Sequence, residues 1–81
     1  MKTLETVGVI VHGLQKLIKL DYQPISQKAM YDICDLNGRV ILSGNIQDEI
    51  TQINISDLIS KQYILLILDG DMAVSRKFVV S

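Results

Sequence analysis

Tyr63-Ile64-Leu65-Leu66-Ile67-Leu68-Asp69-Gly70-Asp71-Met72 is the stretch that decides the fold. Six consecutive apolar residues fit either a strand covered on both faces or a piece of buried helix. The run is short for a helix, and it stops at Asp69-Gly70-Asp71, residue types favoured in tight turns for backbone reasons. Beyond the turn the chain alternates. Val74, Arg76 and Phe78 fall on one face of Met72 to Val80, and Ala73, Ser75, Lys77 and Val79 on the other. A period of two belongs to a strand. The segment therefore reads as a central strand, covered on both faces, that turns back into a final strand.

Towards the N-terminus, the same pattern repeats in short pieces. Thr51, Ile53 and Ile55 alternate with Gln52 and Asn54 as a half-buried strand, and Ser56 to Lys61 forms a corner with Leu58 tucked beneath it. Ala29 to Asp35 places Tyr31 and Ile33 inward and Asp32 outward. Asn37-Gly38, both tolerant of positive φ, predicts a type I′ turn into a strand from Arg39 to Ser43. Gly44 to Glu49 is polar and turn-rich. Leu17 to Tyr22 puts Ile18, Leu20 and Tyr22 on one face, and Pro24, which has no N–H, ends that ladder. Thr6 to His12 supplies a first strand with Val7, Val9 and Val11 together. About seven strands in 81 residues predict an all-β fold, an immunoglobulin-like antiparallel β-sandwich of two small sheets packed face to face. The first and last strands are the expected edges.

Composition agrees. Ile and Val supply 19 residues and Ala only 2, a ratio suited to pleated sheet and wrong for a helical bundle. Eight basic residues against nine acidic give a net charge of −1, which excludes a binder held to nucleic acid by phosphate contacts. With 48% hydrophobic residues the chain is no disordered acidic tail. The mean hydropathy of +0.28 is high for a small domain and points to apolar surface shared with another chain or domain. No apolar stretch approaches the roughly 20 residues of a membrane helix, so no transmembrane segment is expected. Val7 to Val11 is too short for the core of a signal peptide.

Candidate chemistry is sparse. His12 is the only histidine and has no second ligand residue to share a metal with. Cys34 is the only cysteine, so it closes no internal disulfide, and no activating neighbour stands beside it. Asp69-Gly70-Asp71 lacks the twelve-residue ligand pattern of a calcium loop and reads as a plain hairpin turn. Asp48-Glu49 sits in a polar loop without the apolar cleft that separates the pKa values of a catalytic pair. Asn54-Ile55-Ser56 is a bare glycosylation sequon. No Gly-rich phosphate loop or nucleophile elbow is present. The residues predict no enzyme, no metal and no cofactor.

Tyr31 to Val40 (Tyr-Asp-Ile-Cys-Asp-Leu-Asn-Gly-Arg-Val) resembles the "YDLNGR" hairpin of the C-terminal sorting domains of the type IX (Por) secretion system of Bacteroidetes. Cys34 stands where that motif has Tyr, and Asp35, Leu36, Asn37, Gly38 and Arg39 match it. Ile53 to Leu58 is similar to that family's "I-D-I-S-N-L", Tyr63 to Ile67 to its "Y-L-L-K-I", and Arg76 to Val79 to its closing "K-K-F-V". The ordered segments cover roughly Leu14 to Ser81. The "P-N-P" opening is missing, with His12-Gly13-Leu14 near its place, and residues 1–13 have no counterpart.

The resemblance implies a sorting-type β-sandwich over residues 14–81, preceded by an additional strand or linker over 1–13. It implies a non-catalytic module that directs a passenger across the outer membrane, recognised by secretion machinery and removed by a surface sortase, hence secreted or on the cell surface. Arg76 and Lys77 beside Phe78 form the expected receptor contact. The rival expectation is a standalone binding or structural sandwich that dimerises through an edge strand, a cytoplasmic one if Met1 is the native start.

Overall fold

The computed structural model describes residues 7–80. Residues 1–6 and Ser81 lie outside them, and with them Thr6, the expected start of the first strand. Seven strands run in order: β1 (Gly8–His12), β2 (Leu17–Asp21), β3 (Met30–Cys34), β4 (Val40–Asn45), β5 (Ile50–Asn54), β6 (Gln62–Asp69) and β7 (Met72–Val79). All pair antiparallel, in a three-strand sheet β1-β2-β5 and a four-strand sheet β4-β3-β6-β7. The expected all-β sandwich is the fold found. The first and last strands are edges, and so are β4 and β5. In the constant-type immunoglobulin arrangement the fourth strand extends the sheet of strands one, two and five. Here β4 hydrogen-bonds to β3 in the other sheet.

The core lies between the sheets, and the alternation in each strand selects it. Ile18 and Leu20 of β2 and Ile53 of β5 meet Ile33 of β3, Tyr63, Leu65 and Ile67 of β6 and Phe78 of β7 in one buried cluster. Val7, Val9 and Val11 pack against it from the first strand and its lead-in. Leu58 is buried beneath its corner, where its N–H donates to the Ile55 carbonyl at 3.0 Å. Tyr63 closes that corner from below: its hydroxyl donates to the Ile59 carbonyl at 2.9 Å, and its ring stacks on Phe78 at 5.8 Å.

Three local expectations are corrected. First, the strand of Ala29 to Asp35 meets its partner through a three-residue loop, Leu36 to Gly38, and not through a type I′ turn. Gly38 has φ +87° while Asn37 keeps negative φ, and the Gly38 N–H donates to the Asp35 carbonyl at 3.1 Å. That is a type I turn, with Asp at its first position and Gly at its fourth, and a left-handed glycine leading into β4. Second, β4 runs on to Asn45, and Ile46 beyond it is buried with its N–H on the Ala29 carbonyl. Third, β6 is core-covered on one face only. Tyr63, Leu65 and Ile67 are buried, whereas Ile64, Leu66 and Leu68 are half-buried on the outside.

The β3–β4 pairing slips by one residue: Ile33 faces Leu42 and Cys34 faces Val40, so Ile41 is the extra residue of a β-bulge. Further along, Tyr31 faces Gly44 and lays its ring over it. A Cβ at position 44 would stand 2.5–2.6 Å from the Tyr31 ring and hydroxyl atoms. Gly44→Ala therefore has to displace that ring from the edge of the core. Denaturant unfolding is expected to show a loss of about 1–3 kcal/mol, the usual cost of overpacking. The loss should shrink in a Tyr31→Ala background. Equal losses in both backgrounds would mean that the ring is not what excludes the side chain.

Candidate recognition site on the Asp35–Arg39 hairpin

Two carboxylates, Asp35 and Asp69, are the only buried charged side chains among the described residues, each 2% exposed. A buried carboxylate must be met by donors, because burial alone disfavours its charge. Each stands at the end of an inner strand of the four-strand sheet, and each is met in a different way.

Asp35 is satisfied locally. Its Oδ1 accepts the N–H groups of Asn37 and Arg39, both at 2.9 Å, and its Oδ2 accepts the Arg39 Nε–H at 3.2 Å. Its own N–H donates to the Arg39 carbonyl at 3.0 Å. Chiefly the Arg39 backbone donor, against the opposing effect of burial, holds the carboxyl below its ordinary range, with help from Asn37 and the Arg39 side chain. The result is a hairpin tip whose shape is set by five hydrogen bonds within five residues. The tip displays what it does not use internally. Leu36 is 56% exposed, Asn37 and Gly38 are exposed, and the Arg39 side chain is 78% exposed although one of its N–H groups is held by Asp35. An apolar knob and a guanidinium with free donors thus stand at fixed positions beside each other. All five motif residues, Asp35, Leu36, Asn37, Gly38 and Arg39, come together here.

The expected contact of Arg76, Lys77 and Phe78 does not form one surface. Successive residues of β7 point to opposite faces. Phe78 is buried at 6% exposure against Tyr63, so it has no face to offer a receptor. Arg76 lies half-buried on the inner side opposite Leu65, with Nη1 donating to the Ser75 carbonyl, and Lys77 is exposed on the outer side beside Ile64.

The remaining candidates do not assemble into chemistry. His12 ends β1 beside a shallow groove formed with Gly13, Leu14 and Gln15. Cys34 is buried, and its thiol is pushed up by burial and by the Asp32 and Asp35 carboxylates, the reverse of an activated nucleophile. Asp48 and Glu49 are exposed, as are Asn54 and Ser56 of the sequon. The Asn54 side chain accepts the Ser56 N–H at 2.8 Å. No group of three or more His, Cys, Asp or Glu that could hold a metal occurs among the described residues, and no helix there is long and apolar enough to cross a membrane.

Asp69-Gly70-Asp71 is more than a plain hairpin turn. Gly70 has φ +62° and Asp71 negative φ, as in a two-residue type II′ turn. The Asp69 carboxylate, however, reaches across to the chain between β2 and β3. It accepts the Tyr22 hydroxyl at 2.6 Å and the N–H groups of Ile25 at 2.7 Å and Ser26 at 2.9 Å. Burial alone would raise its pKa; the donors from Tyr22, Ile25 and Ser26 overcome that and bring it down to about 2. Burial, and then the neighbouring carboxylate, push the Tyr22 hydroxyl up to about 12. Nothing local announces this tie, since its partners lie 43 to 47 residues away. The one sign of it is an Asp on the apolar face of a strand.

Because the folded pKa lies below that of the unfolded chain, near 3.9, the carboxylate's contribution to stability is complete above about pH 5. It is lost as pH falls towards 2. Asp69→Asn is expected to cost about 2 kcal/mol near neutral pH, as for a lost hydrogen-bonded charge, and to flatten the stability profile between those limits. Tyr22→Phe should cost about 1 kcal/mol, since both backbone donors remain. Urea midpoints across pH 2–7 check both, and an unchanged acid limb in Asp69→Asn would rule out this carboxylate as its source.

A family model described as a secretion system C-terminal sorting domain matches residues 14–81, the span of β2 to β7. No curated protein matches the chain.

Proposed function

From the chain's membership of the type IX secretion-system C-terminal sorting domain family, to which it belongs over residues 14–81, we propose that it is a non-catalytic module that carries a passenger across the outer membrane. In this reading the passenger reaches the periplasm first. The secretion machinery then recognises the sandwich, and a surface sortase removes it. The family match is the observation that carries the reading. In this reading the chain's destination is the cell surface or the medium.

The geometry supports a particular docking element. A module recognised as a folded object needs a feature of fixed shape that the core does not consume. The Asp35–Arg39 tip has that character, with Leu36 and Arg39 displayed on a backbone held by Asp35. Receptor contact is assigned to Leu36 and Arg39 in preference to the Arg76–Phe78 segment. We also place β1 within the folded unit. It lies outside the family match, yet it pairs with β2 over five residues and lends Val9 and Val11 to the core.

Fusions of a periplasmic reporter to residues 1–81 and 14–81 in a type IX-competent host test the reading. The full fusion is expected to bring the reporter to the cell surface or the medium. Leu36→Asp and Arg39→Glu should cut that export several-fold while the reporter still accumulates in the periplasm. A Lys77→Ala control should export normally. A reporter that stays periplasmic with and without the domain would sink the sorting function. Normal export of both tip variants would sink only the assignment of the tip.

A further inference from the structure

The two sheets differ on their outer faces. An antiparallel sheet with one face on the core ordinarily shows polar residues on the other. The three-strand sheet turns Lys19, Asp21, Gln52 and Asn54 outward along β2 and β5, and its exposed apolar residues there, Ile10 and Ile50, lie on the edge strands. The four-strand sheet instead carries Ile64, Leu66 and Leu68 down its centre. Met30 and Cys34 flank them on β3, and Val79, 55% exposed, lies on β7.

We propose that this outer face is a docking surface for a second copy of the chain, packed face to face in a two-fold symmetric dimer. The charges beside the stripe select that occupant. Asp32 stands on β3 next to Leu66, and Lys77 stands on β7 next to Ile64, so one acid and one base sit on opposite flanks of β6. Lys77 has no ion-pair partner among the described residues, and Asp32 has only the Ser43 hydroxyl at 2.6 Å. A two-fold axis running along β6 between the copies lays each β7 over the β3 of the other. Each Lys77 then lies one pleat from the Asp32 of the other copy, on both sides of a shared apolar stripe. The face is thus complementary to itself, which is what an isologous interface requires.

The size of the face sets the strength. With β6 over its own copy and the five residues of each β3 over a β7, at ~3.4 Å per residue and about 4.8 Å between strands, the overlap is roughly 300 Å² per copy. That falls below the usual range of specific interfaces, so the dimer is weak and reversible. Pairing through the β4 edge is a poorer route, because the Ile41 bulge disrupts the line of free donors and acceptors there.

Sedimentation equilibrium of the whole chain from ~10 μM to ~1 mM spans the range in which such a dimer dissociates. The expected result is a concentration-dependent monomer–dimer equilibrium, with its dissociation constant raised at least tenfold by Leu66→Glu. Lys77→Glu and Asp32→Lys should each weaken self-association. An equimolar mixture of the two should regain it as a heterodimer, because every acid then faces an acid's opposite only across the mixed pair. Lys77 is exposed, so its charge reversal keeps the test decisive even where Leu66→Glu unfolds the chain. A monomer at all concentrations overturns the proposal. So does a dimer indifferent to Leu66→Glu and to both charge reversals, which would be pairing through an edge.

Discussion

The buried carboxylate of Asp69 is the interaction on which the two halves of the sandwich depend. Taking a charge out of water is costly unless donors replace the water. Two of the donors here are main-chain N–H groups of Ile25 and Ser26. Those groups sit in a crossover segment that Pro24 has just released from the β2 ladder, so neither has a strand partner. A main-chain N–H shielded from water without a partner is itself a penalty. Asp69 and the crossover therefore solve each other's problem, and Tyr22 adds a third donor from the core side. The same residue begins the β6–β7 turn. One side chain thus fixes where the central hairpin ends and how the chain leaves the three-strand sheet for the four-strand sheet.

Asp35 applies the same principle at short range, and the difference in range decides what each carboxylate holds in place. Its donors lie two and four residues along, so the bonds stiffen a loop and tie nothing distant. A stiff loop loses little conformational freedom when it binds, which favours its use as a contact. Asp35 is buried while Leu36 and the Arg39 side chain lie outside. The same arrangement that satisfies the carboxylate places an apolar side chain and a cation on display.

Whatever depends on near neighbours is legible in the sequence. Alternation locates all seven strands to within a residue or two at most ends, and it assigns Ile18, Leu20, Ile33, Ile53 and Leu58 to the interior. It fails where a second influence competes with the local one. Asn37-Gly38 taken as a pair favours type I′. Asp35, two residues earlier, prefers the first position of a type I turn and supplies the acceptor that locks it. Arg76 to Phe78 resembles a surface because its residue types are adjacent in sequence, whereas the pleat separates them and the core claims Phe78. The Asp69 tie is illegible because its partners are set by topology. The motif residues Asp35 to Arg39 are legible as a group, but their display depends on a turn type that only the structure reveals.

The apolar run that identifies β6 carries one more consequence. Six apolar residues in a strand cover two faces, and the sandwich uses one of them. Periodicity cannot distinguish cover supplied by the same chain from cover supplied by another, because the strand experiences the same removal from water in both cases. A strand covered on both faces is thus what the composition of β6 suggests, whereas the sandwich itself covers one face. Ile64, Leu66 and Leu68 lie outside the cluster between the sheets, so packing of the sandwich core does not account for their apolar character. Their half-burial is the neighbours' partial shielding, and Asp32 and Lys77 stand at the rim of what remains open. A face with an apolar centre and opposite charges on its two flanks is matched most simply by its own image under a two-fold rotation.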